Sequence, residues 1–268
     1  MATLSFPCSA APLSAMGINN ALMKLGVNEA TLWAMLHVES SQVGYLSDRR
    51  PQILFERHIF SRLTGGAYDA TNSGISNPIA GGYGASGPAQ YPRLGEAVAL
   101  DDNAALQSAS WGLGQVMGEN FALGGYASVD AMVADMCTSE DAQLAMMVEF
   151  IVQNHLATAL QMHNWAAYAR GYNGPNFAAQ QYDVRLANAY ATFSAGQPPD
   201  QTVRTAQVLL KYLGFNVAVV DGEIGPNTLT ALHNFQSAQR NPLTETINAS
   251  VLAELTAALP PPVDLLLS

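Results

Sequence analysis

The chain has 268 residues, 49% of them hydrophobic and only 12% charged, with a net charge of −10 and a pI near 4.7. That length is enough for one large domain or two smaller ones with a sizeable core. The acidity argues against nucleic acid and anionic membrane surfaces as main partners.

The first eight residues, Met1 to Cys8, carry no basic stretch and no long apolar run. No signal peptide is therefore expected. No apolar run approaches the about 20 residues that span a bilayer, so no stable membrane insertion is expected either. The two cysteines, Cys8 and Cys137, lie far apart in sequence with no metal-ligand spacing around them. Two free thiols, no metal and no cofactor are the expectation.

A small helix is predicted around residues 14–25, ended by Gly26. Asn28 is a good N-cap for the next helix, and Glu29 sits in its first turn, where the helix dipole favours an anion. Leu32, Met35 and Leu36 share one face of that helix, and the next position on the face is Glu39. A carboxyl there, at the C-terminal end of a core helix, is pushed up in pKa by desolvation and by the negative end of the dipole. Such a group suits protonation of a leaving oxygen. Taken from this stretch alone, the ordinary reading is a Glu that curls out to solvent at a fraying helix end.

Residues 51–60 do not alternate cleanly, so strand and helix remain open. Glu56 stands in this apolar run, either as a second functional carboxylate or as an ion-pair partner of Arg57 or Arg49. Residues 64–92 form a long loop rich in Gly, Ser, Asn, Pro and Tyr. Its Tyr83 and Tyr91, like Tyr68, either stack on sugar rings or pin the loop to the body. A helix is read over 94–108, followed by a glycine-rich stretch in which Trp111 offers an apolar plate and Gln115 an amide. Ser139 caps a long core helix, about 140–162. His155 and His163 on and beside it are too far apart for an i, i+4 metal pair. Asn164 caps a short helix ending at Gly171, then a tight turn presents Tyr172 and Asn173, and a last helix runs from about 177 to 193.

Residues 194–200, with Pro198 and Pro199, read as a linker between two independent folding units with few mutual contacts. Beyond it three helices are predicted, about 203–213, 228–239 and 249–258, with a turn-rich loop from Asp221 to Thr228 before the second. Pro260-Pro-Pro is expected to end the ordered part. The fold class is thus mainly α. The domains are 1–195, a linker over 196–200, and a three-helix bundle over 201–268.

Two resemblances arise at this point. Val203, Gln207, Leu213-Gly214-Phe215, the Asp221-Gly222-x-x-Gly225-Pro226-x-Thr228 signature, Ala231 and Phe235-Gln236 resemble the peptidoglycan-binding domain type 1. The second Asp-Gly-like turn of that module is replaced here by residues 244–248. Val38-Glu39-Ser40, the block from Ile53 to His58, Ala109-Ser-Trp-Gly-Leu-Gly-Gln115 and Ala169-Arg-Gly-Tyr-Asn-Gly174 together resemble the phage-type N-acetylmuramidases of the lysozyme-like superfamily.

The resemblance implies a modular endolysin of lysozyme type. It would act as a monomer on peptidoglycan glycan strands, made in the host cytoplasm and working on the wall after release. It would cleave the β-1,4 bond between N-acetylmuramic acid and N-acetylglucosamine with Glu39 as acid and Glu56 as second carboxylate. Gln115, Tyr172 and Asn173 would bond the sugar, Trp111 with Tyr83 or Tyr91 would wall it, and Asp221, Gly222, Gly225, Pro226 and Thr228 would bind the wall. A lytic transglycosylase, a bacterial antagonism effector with the same chemistry and a non-catalytic wall-binding protein are the alternatives.

Overall fold

The computed structural model describes residues 4–40 and 43–267. The chain begins with strand β1 (Leu4–Cys8), followed by α1 (Ala15–Leu25) and α2 (Glu29–Ser40). Strand β2 (Ile53–Phe55) runs into α3 (Arg57–Leu63), so the ambiguous stretch is both strand and helix. Then come α4 (Gln90–Val98), α5 (Asp102–Gln107), the hairpin β3 (Ala109–Trp111) and β4 (Val116–Met117), α6 (Val129–Met136) and α7 (Glu140–Gln153). Helices α8 (Ala157–Gln161), α9 (Trp165–Asn173) and α10 (Tyr182–Ala195) complete the larger domain. The smaller domain is α11 (Gln201–Tyr212), α12 (Pro226–Gln239) and α13 (Ala249–Ala257), and the chain closes on β5 (Val263–Leu267).

Local chemistry sets several of these boundaries. Asn28 caps α2 by accepting from the Thr31 amide at 2.9 Å. Ser139 does the same for α7 through the Ala142 amide. The helix expected to reach residue 162 instead breaks after Gln153. His155 turns left-handed there, at φ 58°, and the Leu156 amide bonds back to the Ile151 carbonyl, so the chain redirects into α8. Helix α9 runs two residues past its expected end at Gly171, which places Asn173 in its last turn. The expected helix over 177–193 is split at Gln181, also left-handed, into a 3₁₀ turn and α10.

A single apolar core built on α2, α6 and α7 fills the larger domain, with Trp33, Met35, Leu36, Leu144 and Met147 among its members. Helix α10 lies along α2. The three-stranded sheet β2-β3-β4 is a small flap at the edge of this core, with Ile53 paired to Trp111 and Trp111 to Val116.

Three expectations are overturned. Cys8 and Cys137 are not free thiols; they form a disulfide across 129 residues. The ordered part does not end at the prolines, because β5 pairs antiparallel with β1, Leu4 opposite Leu267. Nor are the two domains nearly without contact. Ala10, Val43 and Tyr45 of the larger domain belong to the apolar core of the smaller one, together with Leu209, Leu232 and Phe235.

The deepest link between the domains is ionic. Glu140 and Arg204 are both fully buried and meet at 2.8 Å. The same carboxylate accepts from the Leu13 and Gly44 amides at 2.8 Å each. Arg49, buried, donates from the larger domain to the Pro261 carbonyl. A proline linker read by composition alone suggests a hinge. Here it leads into a docked interface instead.

Candidate active site

Helix α2 places Glu39 against side chains of α9 and α10. Leu32, Met35 and Leu36 are buried on its core face, and Glu39 continues that face instead of curling outward. Tyr182, from the first turn of α10, donates its hydroxyl to Glu39 Oε2 at 2.8 Å. Asn173, from the end of α9, and the Arg185 charge also favour the ionised form. Arg185 is itself held by donating to the Val38 carbonyl at 3.1 Å. Burial outweighs these three influences and pushes the Glu39 carboxyl up from 4.5 to about 7. Its other oxygen, Oε1, is buried without a hydrogen-bond partner. A carboxyl that holds a proton near neutrality is suited to act as a general acid.

Glu56 sits where β2 turns into α3, its amide bonded to the Ser108 carbonyl at 2.8 Å. The ion pair with Arg57 or Arg49, one of the two readings, is not formed. Glu56 Oε2 faces His58 Nδ1 at 3.1 Å, while Arg49 reaches the other domain. Burial raises the Glu56 pKa, partly offset by His58 and by a hydrogen bond with Tyr83. Tyr83 is held there by Gln90, which is completely buried. The Gln90 amide nitrogen donates to the Tyr83 and Ala85 carbonyls, and its oxygen accepts from the Phe55 amide at the end of β2.

The other expected substrate contacts divide sharply. Trp111 is only 1% exposed and donates its indole N–H to the Leu106 carbonyl, so it is core and not a sugar wall. Tyr91 is buried too, its hydroxyl on the Pro51 carbonyl at 2.6 Å. The Gln115 amide is used up within the flap. It donates to the Gly112 and Gln52 carbonyls and accepts from Ser110. Its role is to hold the β3–β4 turn, where Gln115 itself is left-handed at φ 48°. The Tyr172 hydroxyl is tied to the Gly114 carbonyl at 2.6 Å and its ring packs on Tyr168 and Phe150, which joins α9 to the flap. Asn173 and Tyr83 remain, each exposed and each beside one carboxylate. Sequence reasoning missed Tyr182 and Arg185. They lie 143 and 147 residues from their partners, and only the packing of α10 on α2 unites them.

In the smaller domain the signature loop is folded around Gln207 of α11, which is fully buried. Its amide nitrogen donates to Asp221 Oδ1, the Glu223 carbonyl and Thr228 Oγ1, and its oxygen accepts from the Asp221 and Gly222 amides. Gly222 is left-handed at φ 76°, and a Cβ there would stand 2.8 Å from the Asp200 amide. Gly222 and Thr228 are therefore inward, shape-giving residues and not a ligand surface. Of the five expected wall contacts only Pro226 is exposed, with Asp221 and Gly225 half-buried. Gln236 repeats the device on a smaller scale, bonding both the amide and the hydroxyl of Thr244.

The N-acetylmuramidase family model matches residues 28–194, and that of a putative peptidoglycan binding domain matches residues 199–254. No curated protein matches the chain. Among solved structures the chain is similar to the crystal structure of Burkholderia AP3 phage endolysin. The TM-score is 0.63 and the identity 37%, over 68% of this chain and 71% of that one.

Proposed function

This chain belongs to the N-acetylmuramidase family, and on that premise we propose that Glu39 is the general acid of an endolysin cleaving the N-acetylmuramic acid–N-acetylglucosamine bond. The coarser statement stands by itself: the protein is a peptidoglycan glycosidase with a peptidoglycan-binding domain behind it. The observation that carries the proposal is the Glu39 carboxyl, raised to about 7 with Oε1 unpartnered. Protonated, the carboxyl donates to the glycosidic oxygen as the bond to the anomeric carbon breaks. The carboxylate left behind is stabilised by the Tyr182 hydroxyl, Asn173 and Arg185. Asn173 is exposed enough to bond the sugar as well.

Glu56 is the candidate base. In this reading Glu56 accepts the proton of the attacking water. Attack by a muramic hydroxyl, the transglycosylase route, is the alternative. Mass spectrometry of digested peptidoglycan separates the two. Reducing-end muramic products are expected, and anhydro-muramic products would overturn hydrolysis.

Two variants probe the division of roles. Glu56→Gln is expected to lose about 10²-fold or more in rate with little change in melting temperature, as for removal of a base. Full activity in a stable protein would remove Glu56 from the reaction. Tyr182→Phe deletes the hydroxyl that favours the ionised acid, so the Glu39 pKa rises further and the basic limb of the kcat/KM profile moves to higher pH. A basic limb that stays put would separate Tyr182 from the titration that the rate reports.

A further inference from the structure

A cavity of about 580 Å³ lies at the junction of the two domains, and the mechanism above makes no use of it. His37 and Gln52 line it from the larger domain, Lys211 and the loop over residues 215–221 from the smaller one. It shares elements with the candidate active site. His37 is on α2, two residues ahead of Glu39 and on a different face of the helix. The Gln52 carbonyl accepts from the Gly112 amide at 2.7 Å and from the Gln115 side chain at 3.2 Å, so the cavity wall is also the back of the flap.

The lining has a distinct chemistry. Lys211 is half-buried, its pKa lowered by desolvation and partly restored by the Glu140 carboxylate, and it enters no direct ion pair among the described residues. The carboxylate in the same wall, Asp221, is already engaged by the Gln207 amide and the Glu223 amide. Val43, Val217 and Val220 supply apolar surface. The rim is strained: Ala218 is left-handed at φ 62°, and the Val219 amide bonds the Val217 carbonyl at 2.8 Å in a tight three-residue turn. That turn leaves Val219 60% exposed at the edge. A partly dehydrated ammonium with no direct ion-pair partner among the described residues, set among apolar walls at the junction of a glycosidase domain and a peptidoglycan-binding domain, is matched to a short peptide bearing carboxylates.

We propose that this cavity seats the peptide stem of the strand being cleaved, with a stem carboxylate on Lys211 and alanyl methyl groups against the valines. The proposal rests on the peptidoglycan reading above and extends it from the sugars to the substituent they carry. It makes the small domain part of the substrate site in addition to a tether.

The test compares soluble glycan chains whose stem carboxylates are free with the same chains after amidation, using the full-length protein. The intact enzyme should prefer the free form by about tenfold in kcat/KM, expressed in KM, as for one charge-assisted contact. In Lys211→Met that preference should collapse towards one. Val219→Asp, at the exposed rim, should do the same by placing a negative charge beside the seat, and it serves if Lys211→Met folds poorly. A second measurement is independent of cleavage: calorimetric titration with a synthetic stem tetrapeptide, whose affinity should fall at least tenfold in either variant. No preference in the intact enzyme, or a preference retained in both variants, overturns the proposal. If the enzyme cleaves neither glycan, the muramidase reading fails, and the tetrapeptide titration alone decides the cavity.

Discussion

Glu39→Gln abolishes glycan cleavage and, above neutral pH, raises the melting temperature. The loss of rate, about 10² to 10⁴-fold, is that expected when the proposed general acid is removed. The gain in stability follows from the same burial. The folded protein holds the Glu39 proton up to about pH 7, whereas the unfolded chain releases it near 4.5. Stability from this group is therefore full below about pH 4.5, falls as pH rises, and is lost once pH passes the folded value near 7. A neutral amide suffers no such loss. The variant's advantage should grow between pH 4.5 and 7 and stay level above it, read as a few degrees by thermal denaturation at pH 8. Residual lysis within a few-fold of the parent would remove Glu39 from the acid role. An unchanged pH dependence of melting would place its titration elsewhere.

Arg204→Met should be the most destabilising single change. It leaves the Glu140 carboxylate in a site with no access to water, hydrogen-bonded among the described residues by the Leu13 and Gly44 amides. Breaking a buried pair from one side costs about 3 to 5 kcal/mol. For a chain of this size that corresponds to a fall in melting temperature on the order of 10 °C. The form of the transition is as informative as its midpoint. With the pair intact, calorimetry should show the two domains melting together. With Arg204 replaced, the small domain should come away first as a separate transition. A variant that melts as one unit, within 2 °C of the parent by rough estimate from the same scaling, would mean that the shared apolar surface alone couples the domains. The same interface bears on truncation. A chain cut at the linker would expose Val43 and Tyr45, orphan Glu140 and remove the partner strand of β1.

What the sequence made legible was local. Glu39 could be found because a carboxylate interrupted an apolar face, and the capping residues Asn28 and Ser139 because their side chains bond within their own turn. The peptidoglycan-binding signature could be recognised because its residues cluster in one loop. What sequence could not convey was orientation. Trp111 and Tyr91 have the composition of a sugar platform, and only tertiary packing turns them inward. Tyr182 and Arg185 carry no mark of function until α10 is laid on α2. Glu140 reads as an acidic first-turn residue of α7, and Arg204 as one cation on an amphipathic helix. Their meeting depends on how two domains dock, which no helical periodicity encodes. The disulfide was missed for a related reason, since β1 brings together cysteines 129 residues apart.

The two glutamine staples have a consequence for how such a module can diversify. Gln207 holds its loop largely through backbone amides, a carbonyl and two short polar side chains, and Gln236 needs only the amide and hydroxyl of Thr244. A loop gripped from inside by its own backbone tolerates replacement of its outward side chains. Exposed positions such as Glu223, Ile224, Pro226 and Glu245 can therefore drift without disturbing the bundle. The inner positions Gln207, Gly222, Thr228 and Gln236 cannot. One small scaffold can in this way be retuned to walls of different chemistry by surface substitution alone, with no rebuilding of its core.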